Sequence, residues 1–238
     1  QFQTGGDGFN DEMGVPEEVI AAVNAQGSIT GSGRVYGKTA PALEFVTEEY
    51  YRSIWSRWNT QEQLDSMVAF KDRTEDGLLA DRVQLYGMEP FALDHLTVLE
   101  GDLSKLDDPD GNYVAAVYST DDYGNAEMSS HWARLGDTVT IRYVEEFEYY
   151  NPITGEVFGP LERVPEGAAY AERAIRYRDV DYTVAALVTV PSALSYRYYG
   201  ADEFVMGAET FLRDTETDSV MYYAFDTTEE ANAAIEAF

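Results

Sequence analysis

The sequence predicts an α+β fold, on three observations. Asp181 to Val190 is almost continuously apolar, the pattern of a strand buried on both faces. Thr138 to Val144 alternates, placing Val139, Ile141 and Tyr143 on one face. Val220 to Phe225 reads as a strand and leads into a helix: Thr227 and Glu230 form a capping box, and Ala231, Ala234, Ile235 and Phe238 follow at helical spacing. Runs of strands with few helices mark the α+β class. With 45% hydrophobic and 13% aromatic residues among 238, the chain has the material for a core.

The remaining elements follow in order. Gln1 to Met13, rich in Gly, Asp and Asn, reads as a loose lead-in. Pro16 to Val23 predicts a short helix, with Pro16, Glu17 and Glu18 in its first turn and Val19, Ile20 and Val23 on one face. Gly27 to Gly37 is Gly/Ser-rich and turns into a short strand at Arg34 to Tyr36. Glu44 to Phe70 predicts one or two helices, burying Ile54, Trp55, Trp58, Leu64 and Met67. Arg82 to Met88 reads as a strand and Pro90 to Leu96 as a short helix or turn. Tyr113 to Ser119 is another strand. Asn-Pro, Thr-Gly and Gly-Pro steps make Asn151 to Pro165 a loop or hairpin excursion.

Charge narrows the function classes. Against 44 acidic residues stand 16 basic ones, a net charge of −28. Such a field repels nucleic acid and anionic headgroups, so no nucleic-acid partner is expected. Without cysteine there is no disulfide, thiolate metal site or thiol nucleophile. The longest apolar run, Tyr182 to Leu194, is too short and too interrupted to span a bilayer. The chain starts at Gln1 without Met and stops at Phe238 inside a helical pattern, which leads us to expect a piece of a longer protein.

Catalytic patterns fail one by one. His95 and His131 lie far apart, outside any HExxH pattern, and read as structural or surface residues. Gly27-Ser28-Ile29-Thr30-Gly31 is no nucleophile elbow, and Gly31-Ser32-Gly33-Arg34 lacks the rest of a phosphate loop. Asp107-Asp108-Pro109-Asp110-Gly111-Asn112 resembles a calcium loop. However, Leu106 and Val117 would occupy its carboxylate positions, so it reads as a Pro-Asp-Gly turn. A hydrolase using paired acids would need a deep pocket with a raised-pKa carboxylate. No catalytic, cofactor-binding or metal residue is assigned, no cofactor is expected, and the chain is read as a non-enzyme. The candidate contacts are aromatic: Tyr149 and Tyr150, and the run Tyr196, Arg197, Tyr198 and Tyr199. Adjacent aromatics on a strand face opposite ways, and exposed aromatics beside Arg suit contact surfaces.

Several stretches resemble the MacB-like core domain of FtsX-like ABC-transporter permeases. They are an "EG" step at Leu99-Glu100-Gly101-Asp102-Leu103, the strand Tyr113 to Ser119, and an "LGD-x-V-x-I" strand at Leu135 to Ile141. The buried strand Tyr182 to Pro191 and the closing strand and helix from Asp218 to Phe238 complete the set. The resemblance runs from Arg82 to Phe238; the segment Glu145 to Asp181 is an insertion relative to the plainest members. It implies a mixed porter-like βαβ subdomain, residues 1–99 and 192–238, with an inserted small β-rich, barrel-like subdomain, residues 100–191. It further implies an extracytoplasmic domain of a bacterial membrane permease, coupled through the full-length protein to a cytoplasmic ATPase subunit. A permease dimer or pseudo-dimer and a peptide, lipoprotein or envelope partner belong to the same implication. The absence of cysteine is compatible with the surface of a bacterium that does not rely on disulfides. The alternative reading is a stand-alone cell-surface binding module for peptide or glycan.

Overall fold

The computed structural model describes residues 17–25, 29–38, 42–121, 123–191, 202–215 and 219–236. The fold is α+β, a mixed sheet with few helices. In chain order the elements are α1 (Glu17–Asn24), β1 (Ile29–Lys38), β2 (Ala42–Val46), α2 (Glu48–Trp55), α3 (Gln61–Ala69), β3 (Leu79–Met88), α4 (Pro90–Leu93), β4 (Thr97–Gly101), β5 (Tyr113–Val117), β6 (Thr138–Tyr150), β7 (Val157–Gly159), β8 (Ala171–Thr189), β9 (Asp202–Gly207), α5 (Ala208–Asp214), β10 (Ser219–Phe225) and α6 (Thr228–Glu236). The strands form one sheet in the order β10-β1-β3-β2-β6-β8-β5-β9. Parallel pairing of β9 with β3 closes β3, β2, β6, β8, β5 and β9 into a ring.

Alternation along the strands fills that ring. Val83 and Leu85 of β3, Val114 and Ala116 of β5, and Phe204 and Met206 of β9 point inward. They meet Val139, Ile141 and Tyr143 of β6 and Tyr182, Val184 and Leu187 of β8. The residues between them, Tyr86 and Met88, Ala115 and Val117, and Val205, face outward into a second core. α4 supplies Ala92 and Leu93 to that core, and the 3₁₀ turn Leu103–Asp107 supplies Leu106. Full burial of one Leu, Ile or Phe contributes roughly 1.5–3 kcal/mol, so this two-sided pattern dominates the stability. Inside the ring Gly87 lies against the Phe211 side chain of α5, where a Cβ would collide with the ring. Gly101 has φ +91°, and a Cβ there would overlap the Ala185 carbonyl.

Several expectations change. β1 is longer than Arg34 to Tyr36 because Gly31 and Gly33 let the Phe91 ring lie on the strand, so its glycines are packing residues and not a turn. The Glu44–Phe70 region holds a strand and two helices. Its helices bury Tyr51, Leu64 and Val68, while Trp58 is 52% exposed and Ile54, Trp55 and Met67 are half-buried. These short helices pack only one narrow stripe: Leu64 is buried as expected, Val68 is buried in place of Met67, and Tyr51, one turn earlier, in place of Ile54 and Trp55. The segment 202–214, which carried no sequence assignment, supplies β9 and α5. The capping box of the last helix is present, with Glu230 N–H donating to Thr227 Oγ1 at 3.2 Å and Thr227 N–H to Glu230 Oε2 at 3.2 Å. The lead-in 1–13 lies outside the described residues.

Candidate functional site

β6 and β8 outrun the ring. They span 13 and 19 residues, against 5 for β5. Beyond Tyr143, where β2 stops pairing, they continue as a ribbon from Val144/Tyr177 to Tyr150/Ala171. At about 3.3 Å per residue it reaches ~20 Å from the body. A bulge on each strand, at Glu145 and at Ile175, offsets the other and restores the alternation. Near the tip β7 adds a third strand, pairing Gly159 with Tyr149 and Val157 with Tyr150.

The ribbon is two-faced because opposite residues share a face. One face carries ions paired across the strands. Arg173 bonds Glu148 at 2.5 Å and lies 5.3 Å from the Tyr150 ring centroid. Arg176 bridges Glu145 at 3.0 Å and Glu146 at 3.1 Å. Arg178 reaches Glu145 at 3.3 Å and Asp214 at 2.9 Å. The other face is apolar and aromatic: Val144 opposite Tyr177, Phe147 opposite Ala174, and Tyr149 opposite Glu172. Tyr177 is 42% and Tyr170 53% exposed. Tyr170 meets Tyr149 edge to face, with centroids 5.7 Å apart.

A polar knot anchors the ribbon's base. Tyr143 and Tyr182 hydroxyls lie 2.9 Å apart, and Tyr182 donates to Asp214 Oδ2 at 2.8 Å. Arg178 and Arg213 converge on the same carboxylate at 2.9 and 2.6 Å. Arg213 also donates to the Pro109 carbonyl and to Asn112 Oδ1, tying the Pro-Asp-Gly turn to the knot. Burial alone would raise the Asp214 pKa. The hydrogen bonds from Arg213 and Tyr182 outweigh it and hold the carboxyl below its usual range. Burial pushes the Tyr143 phenol up to about 12, and Tyr182 also upward. Both Asp214 carboxylate oxygens accept from protein donors, and the knot reads as a structural lock.

On the neighbouring outer face Arg142 grips Asp179 with two 2.8 Å bonds. Its guanidinium lies 4.8 Å from the Phe45 centroid and 5.2 Å from that of Tyr177.

Of the candidate contacts, Tyr149 and Tyr150 sit at the ribbon's end, half-buried, on opposite faces. Tyr196, Arg197, Tyr198 and Tyr199 lie outside the described residues. Sequence reading missed Tyr170 and Tyr177. Their signal is the interleaving of Arg173, Arg176 and Arg178 with apolar residues, inside the segment that the resemblance treats as an insertion. His131 is buried and structural. Its Nδ1 accepts from Ala133 N–H at 3.0 Å, which places the proton on Nε2, 3.2 Å from the Glu203 carbonyl. His95 is exposed, its Nδ1 2.7 Å from the Phe91 carbonyl.

No family model matches the chain, and no curated protein matches it. Among solved structures it is similar to the extracellular domain of the noncanonic ABC-type transporter YknZ from Gram-positive bacteria. That similarity covers 93% of this chain and 78% of the other, at 9% identity and a TM-score of 0.40.

Proposed function

We propose that the chain is the extracytoplasmic domain of a bacterial ABC-transporter permease, which couples ATPase-driven movement of membrane helices to handling of a substrate or partner outside. The observation that carries this reading is the ordered set of sequence pieces between Leu99 and Phe238. Two of them have the local geometry their residues require: the positive-φ Gly101 at the "EG" step, and the positive-φ Gly136 of Leu135-Gly136-Asp137, whose N–H donates to the Val184 carbonyl. In this reading the chain acts without catalysis. Residues 1–99 and 192–238 form the porter-like part and 100–191 the inserted β-rich part, the two sharing the strand ring. The ribbon then serves as the lever and contact element, held to the body by the Asp214 knot.

The full-length gene tests the proposal. It should encode one apolar span before Gln1 and three after Phe238, next to an ATPase gene, and the two products should co-purify. A full-length protein with no downstream span overturns it and leaves the surface-binding module in its place.

A further inference from the structure

Cations in this molecule recur in one setting, a carboxylate on one side and an aromatic ring on another. Lys71 lies 4.9 Å from the Tyr51 centroid and pairs with Asp81. Arg142 has Tyr177, Phe45 and Asp179, and Arg173 has Tyr150 and Glu148. Arg178 lies 4.9 Å from the Tyr143 centroid and pairs with Asp214. The combination is favourable because the ring face and the carboxylate both present negative potential to one guanidinium or ammonium group.

The apolar face of the ribbon repeats the setting without the cation. Tyr149 and Tyr170 meet edge to face, and Glu172 stands directly opposite Tyr149. Burial, then the nearby charge of Glu172, raises the Tyr149 phenol's pKa. Gly159 pairs with Tyr149 from the β7 side and has no side chain of its own on that flank. The Arg163 side chain occupies that flank, its Nη1 3.7 Å from the place a Gly159 Cβ would take. Among the described residues it makes neither an ion pair nor a ring contact. The other ribbon arginines, Arg173, Arg176 and Arg178, are held by carboxylates on the opposite face.

We propose that Tyr149, Tyr170 and Glu172 form a receptor for an Arg or Lys side chain on a partner protein, with the partner's apolar residues laid along Phe147, Val144 and Tyr177. A cationic amphipathic segment is the occupant that the charge favours. A second copy of this chain brings another −28 and the same carboxylates, and an anionic lipid surface is repelled likewise. An apolar face on so narrow a ribbon is also marginal in water until something covers it. The receptor stands on these side chains alone, so it holds whichever outcome the full-length gene gives.

The test is an NMR titration of the domain in 0.15 M salt with the peptide acetyl-Leu-Arg-Leu-Arg-Leu-amide and its counterpart carrying citrulline for arginine. The arginine peptide should bind at least fivefold more tightly, shifting resonances of residues 147–150 and 170–177. Glu172→Gln, an exposed and volume-conserving change, and Tyr149→Leu should each weaken it threefold or more. Arg163→Ala should leave it unchanged or tighten it, and Glu100→Gln on the body should leave it unchanged. Circular dichroism checks that each variant is folded; if Tyr149→Leu is not, Glu172→Gln decides alone. Equal binding of the two peptides, or equal loss with Glu100→Gln, reduces the effect to diffuse surface charge and overturns the proposal. Ribbon shifts that track protein concentration without peptide make a second copy the occupant and overturn it too.

Discussion

Asp214 is the residue on which the ribbon's attachment turns. Its side chain is 7% exposed and accepts from Tyr182, Arg178 and Arg213. Asp214→Asn removes the charge and leaves two guanidinium groups facing an amide, a loss of about 3 kcal/mol at pH 7. Because the folded pKa is depressed, the carboxylate's contribution is complete above the unfolded value of about 3.9 and fades as pH falls through the folded one. Urea midpoints of wild type and Asp214→Asn should therefore converge below pH ~4; a constant gap would show that the charge is not the cause. Gly101 makes a second prediction. Its φ of +91° and its contact with the Ala185 carbonyl leave no place for a Cβ. Gly101→Ala should cost about 2 kcal/mol or more, read from the same denaturation curves, whereas Gly124→Ala, at φ +84° with nothing near, should cost less.

Among elements, β8 joins two different environments. From Tyr182 to Val188 it is walled by the two cores, with only Thr183 exposed. From Ala171 to Arg178 it has β6 on one edge and its side chains largely in solvent. Hydrogen exchange should divide the strand accordingly. Amides of 183–188 should exchange only near global unfolding, and those of 171–178 orders of magnitude faster. Uniform protection along β8 would mean that the ribbon is covered in solution. The outer edges of the ribbon carry Glu145, Glu146, Arg173 and Arg176. Charges so placed discourage strand-by-strand stacking of copies, which leaves the apolar face, and not the edge, as the surface for contact.

At the scale of the whole molecule, self-repulsion is the term to watch. With a net charge of −28, even the paired carboxylates lie among like charges. Added salt screens that repulsion, with a Debye length of about 3 Å at 1 M against 10 Å at 0.1 M. The melting temperature should therefore rise with KCl, by roughly 4–8 °C if 2 kcal/mol of repulsion is relieved. A melting temperature that falls with salt would mean that the cross-strand ion pairs outweigh the repulsion.

The sequence by itself determined the class and most of the strands. The apolar run at Asp181–Val190, the alternation at Thr138–Val144 and the capping box at Thr227 each encode a local period or a local hydrogen bond, which neighbours along the chain suffice to specify. It also marked Tyr149 and Tyr150, because paired aromatics beside a turn are a local signal. Only the tertiary structure decided what depends on residues far apart. Ring closure rests on parallel pairing of β3 with β9, whose partners Val83 and Asp202 are distant in sequence. The length of β6 and β8 comes from each pairing with the other, and not from apolar periodicity, since both ribbon strands are rich in charge. The division of the ribbon into an ion-paired and an aromatic face is set by register and by two opposed bulges. A one-residue slip would exchange the faces, and nothing in the order of residues alone excludes that slip.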